Sequence, residues 1–182
     1  LSITLTRGLH LDGLSDWADG FWGSNERERV LAIMKDSAIG TFGGVALAVC
    51  LMTKWILITR LLSIHHTHWL IIACVISRSM QAILAASFPY ARLEGGTAGM
   101  FVNGAGKRHR IVVFLMSTAI LIPLGLEQLS LLAAALIIAA LITALLGKWA
   151  RRRIGGITGD IIGALNEIVE LAVLAIAAVF LA

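Results

Sequence analysis

Residues 129–147 read LSLLAAALIIAALITALLG, a run without a single charged side chain. A helix of roughly 20 mostly apolar residues is long enough to cross the hydrocarbon core of a bilayer. Five runs fit this template, and the predicted spans are residues 38–60, 69–87, 111–126, 129–147 and 161–182. The runs are continuous, whereas strands of a membrane barrel alternate between apolar and polar residues. The sequence therefore predicts an all-α fold, a polytopic α-helical integral membrane protein with about five spans.

The composition of the whole chain agrees with that fold class. Of its 182 residues, 58% are hydrophobic and 14% are charged, and the mean hydropathy is +0.88. A soluble domain is far less apolar than this. We find no low-complexity linker and no repeat of fixed period. Residues 1–182 are therefore interpreted as a single membrane-embedded domain.

Basic residues are distributed unevenly around the predicted spans. If the five spans alternate, one side of the membrane carries twelve lysines and arginines, and the other carries only Arg60. By the positive-inside rule the crowded side is cytoplasmic. This topology also accounts for the sequence pI near 9.6, so we expect no nucleic-acid binding. The twelve residues are Arg7, Arg27, Arg29, Lys35, Arg92, Lys107, Arg108, Arg110, Lys148, Arg151, Arg152 and Arg153.

Acidic residues gather on or next to the same side. An ionised carboxylate is costly near hydrocarbon, so such residues are retained mainly where they hold a cation or line a polar cavity. Seven of the eleven acidic residues are placed in this way, which predicts one active face on the cytoplasmic side. They are Asp12, Asp16, Asp19, Asp36, Asp160, Glu167 and Glu170.

The first cluster lies in residues 10–20, which read HLDGLSDWADG. Asp12, Asp16 and Asp19 are spaced i, i+4, i+7 and fall within roughly 60° of arc on one helix face. Carboxylates so close repel one another, and a divalent cation with a preference for oxygen ligands, such as Mg²⁺, would offset the repulsion. The alternative is a solvated acidic face. A solvated face usually interleaves Lys or Arg, so we favour a metal site.

The second cluster follows residues 155–160, which read GGITGD. Asp160, Glu167 and Glu170 are spaced i, i+7, i+10 and would share one broad face of a helix that starts near Thr158. The glycines would let the chain turn tightly and approach a ligand closely. The helix N-terminus would suit a phosphate or carboxylate. The alternative for the two glycines alone is a simple break between spans.

Several other charged residues are candidates for substrate binding or anchoring. Arg78 lies at mid-span, where a charge is expensive, and is interpreted as functional. Lys54 lies nearer the far side of its span and is interpreted as a snorkelling residue. Lys35 and Asp36 join a cation and an anion at the membrane interface. Arg92 precedes a glycine-rich segment, residues 95–99, that could cradle phosphate with backbone N–H groups.

Five motifs, taken in chain order, resemble the cobalamin synthase family, the integral-membrane adenosylcobalamin-phosphate synthases of bacteria and archaea. They are GLHLDGLSDWADG at residues 8–20, IMKDS at residues 33–37, Ser77-Arg78, Tyr90-Ala91-Arg92, and GGITGD at residues 155–160 with Glu167 beyond. The chain departs from the family pattern at Arg7, where glycine is usual, and in the segment after Arg92. Family members carry membrane-embedded sequence upstream of the first motif, so we expect this chain to lack an N-terminal portion.

The resemblance implies a Mg²⁺-dependent transferase in the assembly of the cobalamin nucleotide loop. Its substrates would be adenosylcobinamide-GDP and α-ribazole or α-ribazole phosphate, with release of GMP. It would be a multi-pass protein of the cell inner membrane with a cytoplasmic active face, in contact with the lipid bilayer, and a homo-oligomer is compatible with the sequence. This agrees with the residues, because attack of a ribose hydroxyl on a diphosphate requires charge neutralisation and positioning.

The expected site follows from the same motifs. Catalytic roles fall to Asp12, Asp16, Asp19 and Asp160, and the same four residues with Glu167 are expected to hold Mg²⁺. A metal held there would polarise the phosphoryl oxygens and assist the leaving group. One unligated aspartate would accept the hydroxyl proton, and Asp19 is the candidate by position. The expected substrate-binding residues are His10, Lys35, Asp36, Arg78, Arg92 and Glu170.

Two other classes of protein also gather carboxylates at a membrane. A CDP-alcohol phosphotransferase would require Ala-Arg after the first pair of acids, where this chain has Trp17-Ala18-Asp19. A divalent-cation transporter would place acids near mid-membrane on several spans, whereas these acids crowd one face. Both are kept as alternatives to the transferase.

Overall fold

The computed structural model describes residues 6–92 and 98–181. These residues form eight α-helices and no β-strand, which confirms the predicted all-α class. The helices are α1 Leu9–Gly23, α2 Arg27–Ile33, α3 Thr41–Ser63, α4 His68–Ala85, α5 Gly99–Gly104, α6 Lys107–Gly125, α7 Leu129–Ile154 and α8 Gly159–Phe180, with a 3-10 turn at Leu126–Gln128 between α6 and α7.

Four helical stretches of the described residues are long and apolar enough to cross a membrane: Thr41–Ser63, His68–Ala85, Lys107–Ile154 and Gly159–Phe180. The third has 48 residues, more than twice what one crossing needs. It contains the turn at Leu126–Gln128. The side chain of Gln128 accepts a hydrogen bond from Trp69 Nε1 (2.9 Å) at the start of α4, whereas Gly147 packs against Phe88 beyond the end of α4. Helix α6 runs the other way along α4, since Arg108 near its start shares a cavity with Ala82 and Ile120 shares another with Cys74. The chain therefore reverses between α6 and α7, in agreement with about five spans.

Helix α8 is the centre of the bundle. It packs against α1, α3, α4 and α7. A stripe of apolar side chains at intervals of four residues is fully buried along it, as expected for helix positions that share one face. The stripe consists of Ile161, Leu165, Val169, Val173 and Ala177. This helix is therefore the element against which the site residues of the other helices are positioned.

Two of the basic residues also hold together the segments near the predicted acidic clusters. Arg27 donates hydrogen bonds to the carbonyl oxygens of Ile154 (2.9 Å) and Ala91 (3.1 Å). Arg153 donates to the carbonyl oxygens of Phe21 (3.0 Å) and Ser24 (2.6 Å). Carbonyls at a helix C-terminus lack intrahelical partners, and arginine side chains satisfy them well. These arginines thus stabilise the face on which the carboxylates lie, in addition to their expected effect on topology.

Candidate active site

The loop between α7 and α8 places Asp160. Gly155 ends α7 with φ +86°, a left-handed conformation that favours glycine. Ile157 N donates to the carbonyl of Pro89 and Ala91 N donates to the carbonyl of Ile157, both at 2.9 Å. A Cβ atom on Gly156 would lie 2.3 Å from the Pro89 oxygen. The close approach predicted for the glycines is therefore made to another loop of the protein.

Helix α1 crosses the start of α8 in close contact, at Gly13 of α1 and Gly163 of α8. We call this contact the crossing. A Cβ atom on Gly13 would lie 2.7 Å from the carbonyl oxygen of Asp160, and one on Gly163 would lie 3.3 Å from the Cα of Gly13. The two backbones can approach this closely only because both positions lack a side chain. Asp12 and Asp16, on either side of Gly13, are thereby held beside Asp160.

The carboxylates at this crossing differ in environment. Asp160 is half-buried, accepts a hydrogen bond from Thr158 Oγ1 (3.2 Å) and forms an ion pair with Arg92 (3.0 Å). Asp12 is exposed and Asp16 is half-buried. Burial, followed by the charges of Asp12 and Asp160, raises the pKa of Asp16 to about 7. The charge of Asp16 is therefore under-compensated by its surroundings, and a bound cation would offset its repulsion from Asp12 and Asp160.

A cavity of about 280 Å³ opens beside the crossing. Its polar lining includes His10, Asp12, Gln81 and Asp160, and Ala98 and Phe101 close another side. Burial, followed by the charge of Arg78, lowers the pKa of His10 to about 4. His10 is consequently a neutral imidazole at neutral pH, able to donate one hydrogen bond and accept another.

Asp19 is placed differently from the prediction. It is buried, and its two carboxylate oxygens accept hydrogen bonds from the backbone N–H groups of Gly40 (2.7 Å) and Gly43 (2.9 Å). It therefore caps the N-terminus of α3, where the first N–H groups have no partner within the helix. Both oxygens are engaged in this cap, which gives Asp19 a structural role, and its catalytic and metal-binding roles stay predictions.

Glu167 and Glu170 are also separated from the carboxylates of the crossing. Both lie on α8 and form ion pairs with Lys54, at 2.6 Å for Glu167 and 3.2 Å for Glu170. Cys50 also donates a long hydrogen bond to Glu167 (3.6 Å). The interpretation of Lys54 as a snorkelling residue is wrong, because its ammonium group points to two carboxylates of a neighbouring helix.

Arg78 belongs to this second, more buried group. Its guanidinium donates to the side-chain oxygen of Asn166 and lies 3.2 Å from Nδ1 of His10. Asn166 Nδ2 in turn donates to Glu167 (3.2 Å) and Glu170 (3.4 Å). Sequence reasoning gave no role to Asn166, although a buried amide in an apolar helix is a signal of a polar network.

Two residues predicted to bind substrate, Lys35 and Asp36, are not among those that line the cavity. Lys35 and Asp36 are exposed between α2 and α3, and Asp36 accepts a hydrogen bond from the backbone of Ala38 (3.0 Å). Their assignment to substrate binding stays a prediction. Of the glycine-rich segment after Arg92, residues 95–97 lie outside the described residues.

The residues predicted to bind metal do not form one closed cluster in the part of the chain that the structure describes. Within residues 6–92 and 98–181, no three His, Cys, Asp or Glu side chains are already grouped closely enough to hold an ion. Asp12, Asp16 and Asp160 nevertheless supply oxygen donors of the kind that Mg²⁺ prefers, and the charge of Asp16 is under-compensated. The donor set fits a magnesium ion in chemistry, although it is not preformed, and the magnesium site stays a prediction.

Fold and site together define a multi-pass membrane protein with a carboxylate-lined cavity at one end of its helices. Residues 1–178 match the sequence profile of the family described as cobalamin-5-phosphate synthase, and the chain belongs to that family. The resemblance seen in the motifs is therefore confirmed, which favours the transferase over the two alternatives.

Curated relatives agree with the family match. A protein of Chlorobium phaeovibrioides named adenosylcobinamide-GDP ribazoletransferase is 45% identical over 169 residues, which cover 92% of this chain and 67% of the relative. A protein of the same name in Chlorobium chlorochromatii is 43% identical, over 94% of this chain and 68% of the relative. Another, in Syntrophobacter fumaroxidans, is 40% identical, over 98% of this chain and 71% of the relative. The chain thus spans about two thirds of the length of these relatives. No solved structure matches it.

Proposed function

We propose that this chain is an adenosylcobinamide-GDP ribazoletransferase, which joins adenosylcobinamide-GDP to α-ribazole or its phosphate and releases GMP. The family match carries this conclusion, together with relatives of that name at 40–45% identity. The position of Asp12 and Asp160, which line one cavity, supports it. Both lie in motifs that carry the resemblance to the family.

The reaction requires one bond to form and one to break at phosphorus. A ribose hydroxyl of α-ribazole attacks the phosphate joined to cobinamide, the bond from that phosphate to GMP breaks, and the hydroxyl proton is transferred to a base. Asp16 is our candidate for the base, in place of Asp19, because it is half-buried one turn from Asp12 on the same face of α1. Burial and the neighbouring carboxylates raise its pKa, which makes it a better proton acceptor.

Asp12 and Asp160 are proposed to hold Mg²⁺, with Asp16 adding negative charge from the next turn of α1. When bound there, Mg²⁺ would neutralise charge on the phosphoryl oxygens and stabilise the leaving group. Their placement at the rim of one cavity beside an under-compensated carboxylate supports this assignment.

The arginines are proposed to bind the diphosphate. Arg92 lies beside Asp160 at 3.0 Å, and Arg78 reaches the cavity through His10. A guanidinium binds phosphate oxygens with two parallel N–H groups, which positions the phosphate as well as neutralising it. Neutral His10 can donate a further hydrogen bond to the substrate.

We further propose that the cavity faces the cytoplasm from the inner membrane. The concentration of basic residues on the side of the cavity supports this orientation. A cysteine introduced at position 152, which is exposed, should then react with an impermeant thiol reagent only from the cytoplasmic side, and labelling from outside would contradict the orientation.

The function is tested by supplying alternative acceptors. Membranes containing the chain should convert adenosylcobinamide-GDP and α-ribazole, with Mg²⁺, to a joined product and GMP in equal amounts. The same membranes should form no phospholipid from a CDP-alcohol and a lipid acceptor. Formation of the phospholipid without the cobamide product would instead establish a CDP-alcohol phosphotransferase.

A further inference from the structure

An ion-paired lysine lies inside the bundle, away from the carboxylates of the crossing. The side chain of Lys54 is 14% exposed, and those of its partners Glu167 and Glu170 are 5% and 13% exposed. All three belong to helices that are long and apolar enough to span the membrane. Charges in that position are costly, and they mark functional sites more often than they serve stability alone.

Hydrogen bonds connect Lys54 to the cavity. The Lys54 ammonium binds Glu167 Oε2 (2.6 Å) and Glu170 Oε1 (3.2 Å). Asn166 Nδ2 donates to the other oxygens of these carboxylates, Oε1 of Glu167 (3.2 Å) and Oε2 of Glu170 (3.4 Å). The oxygen of the same amide group of Asn166 accepts a hydrogen bond from Arg78.

The connection ends at residues that contact the cavity. Arg78 Nη1 lies 3.2 Å from Nδ1 of His10, and His10 lines the cavity together with Asp12 and Asp160. The chain of contacts thus begins on α3, crosses α8 and reaches α4 and α1. We propose that Lys54 is a positioning residue for the transferase, which acts through Glu167 and Asn166 to hold Arg78 and His10 in place for the diphosphate of adenosylcobinamide-GDP.

This proposal rests on the proposed function and assigns Glu167 a role other than metal binding. The oxygens of Glu167 are engaged by Lys54, Asn166 and Cys50, so a metal ion would have to displace an ammonium ion already in contact. The network also balances its formal charges, since it contains two cations, Lys54 and Arg78, and two anions, Glu167 and Glu170. Loss of Lys54 would leave two carboxylates to compete for Arg78.

Kinetics of the full chain in membranes test the assignment. Lys54→Met should raise the KM for adenosylcobinamide-GDP at least tenfold and leave the KM for α-ribazole and the half-saturating Mg²⁺ concentration near their wild-type values. Lys54→Arg, which keeps the charge and can bind both carboxylates, should recover most of the loss. The double variant Lys54→Met/Glu167→Gln should recover part of it, because one uncompensated carboxylate is removed.

Arg60→Met is the matched control, because it removes an exposed cation from the end of the same helix and should leave every constant unchanged. A Lys54→Met enzyme with a wild-type KM for adenosylcobinamide-GDP would overturn the proposal, even if less folded protein were recovered. A Glu167→Gln enzyme that requires more Mg²⁺ at an unchanged KM would overturn it in favour of metal binding. Absence of turnover in the wild-type chain would instead contradict the proposed function.

Discussion

The carbonyl oxygen of Asp160 lies 2.7 Å from the position that a Cβ atom on Gly13 would occupy. Helices α1 and α8 are therefore in backbone contact at the point where each carries a proposed magnesium ligand. The separation between Asp12 and Asp160 is set by this crossing. The addition of a single methyl group at position 13 therefore tests the importance of the crossing.

Gly13→Ala should move α1 away from α8, because the added methyl group meets backbone atoms that cannot rotate aside. Overpacking of this kind costs about 1–3 kcal/mol, so we expect a lower unfolding temperature in detergent and a large loss of transferase turnover. Gly104→Ala is the control, since a Cβ atom there meets nothing within 4 Å. Equal unfolding temperatures and equal turnover in the two variants would show that the crossing is not important.

Stability should depend on the ionisation of Asp16. Its pKa of about 7 in the folded protein lies above the ordinary 3.8, so the folded state binds more protons than the unfolded state between these values. The free energy of unfolding contributed by Asp16 therefore falls as the pH rises from about 4 through 7.

Thermal unfolding of wild type and Asp16→Asn between pH 5 and pH 8 measures this contribution by difference. The wild type should lose stability relative to the variant as the pH rises, and Mg²⁺ should restore it by offsetting the charge. His10, whose pKa is lowered, titrates in both proteins and cancels in the comparison to first order. If the unfolding temperatures of the two proteins followed parallel curves against pH, with and without Mg²⁺, the charge of Asp16 would not be under-compensated.

The cap formed by Asp19 gives a different prediction from a catalytic role. Asp19→Ala should lower the free energy of unfolding by about 0.5–2 kcal/mol, the usual cost of losing a helix cap, and Asp19→Asn should lower it less because one acceptor oxygen remains. Asp36→Ala, at an exposed position, should have little effect. An Asp19→Asn variant that was fully folded and yet inactive would instead support the predicted catalytic role of Asp19.

Much of the fold could be predicted because its determinants are local in sequence. Long apolar runs specify spanning helices whatever their neighbours, and the spacing of Asp12 and Asp16 places them on one helix face. The break at Gly155 was also predictable, since glycine tolerates the left-handed conformation found there. The shared motifs then indicated that Asp12 and Asp160 belong to one site.

The partners of individual side chains could not be predicted in the same way. Asp19 has the spacing of a third ligand, but its N–H partners lie 21 and 24 residues further along the chain. Lys54 resembles a snorkelling residue until α8 supplies Glu167, 113 residues away. Helix periodicity reports which residues share a face, and it does not report which helix that face contacts.

GMP release as a function of Mg²⁺ concentration tests most directly whether Asp12 and Asp160 hold the Mg²⁺ used in transfer. Asp12→Asn and Asp160→Asn should each raise the half-saturating Mg²⁺ concentration at least tenfold, because each removes a charged oxygen ligand. Glu127→Gln, a carboxylate in the turn between α6 and α7, should behave as wild type. If both aspartate variants kept the wild-type Mg²⁺ requirement and turnover, the carboxylates at the crossing would not be the metal site.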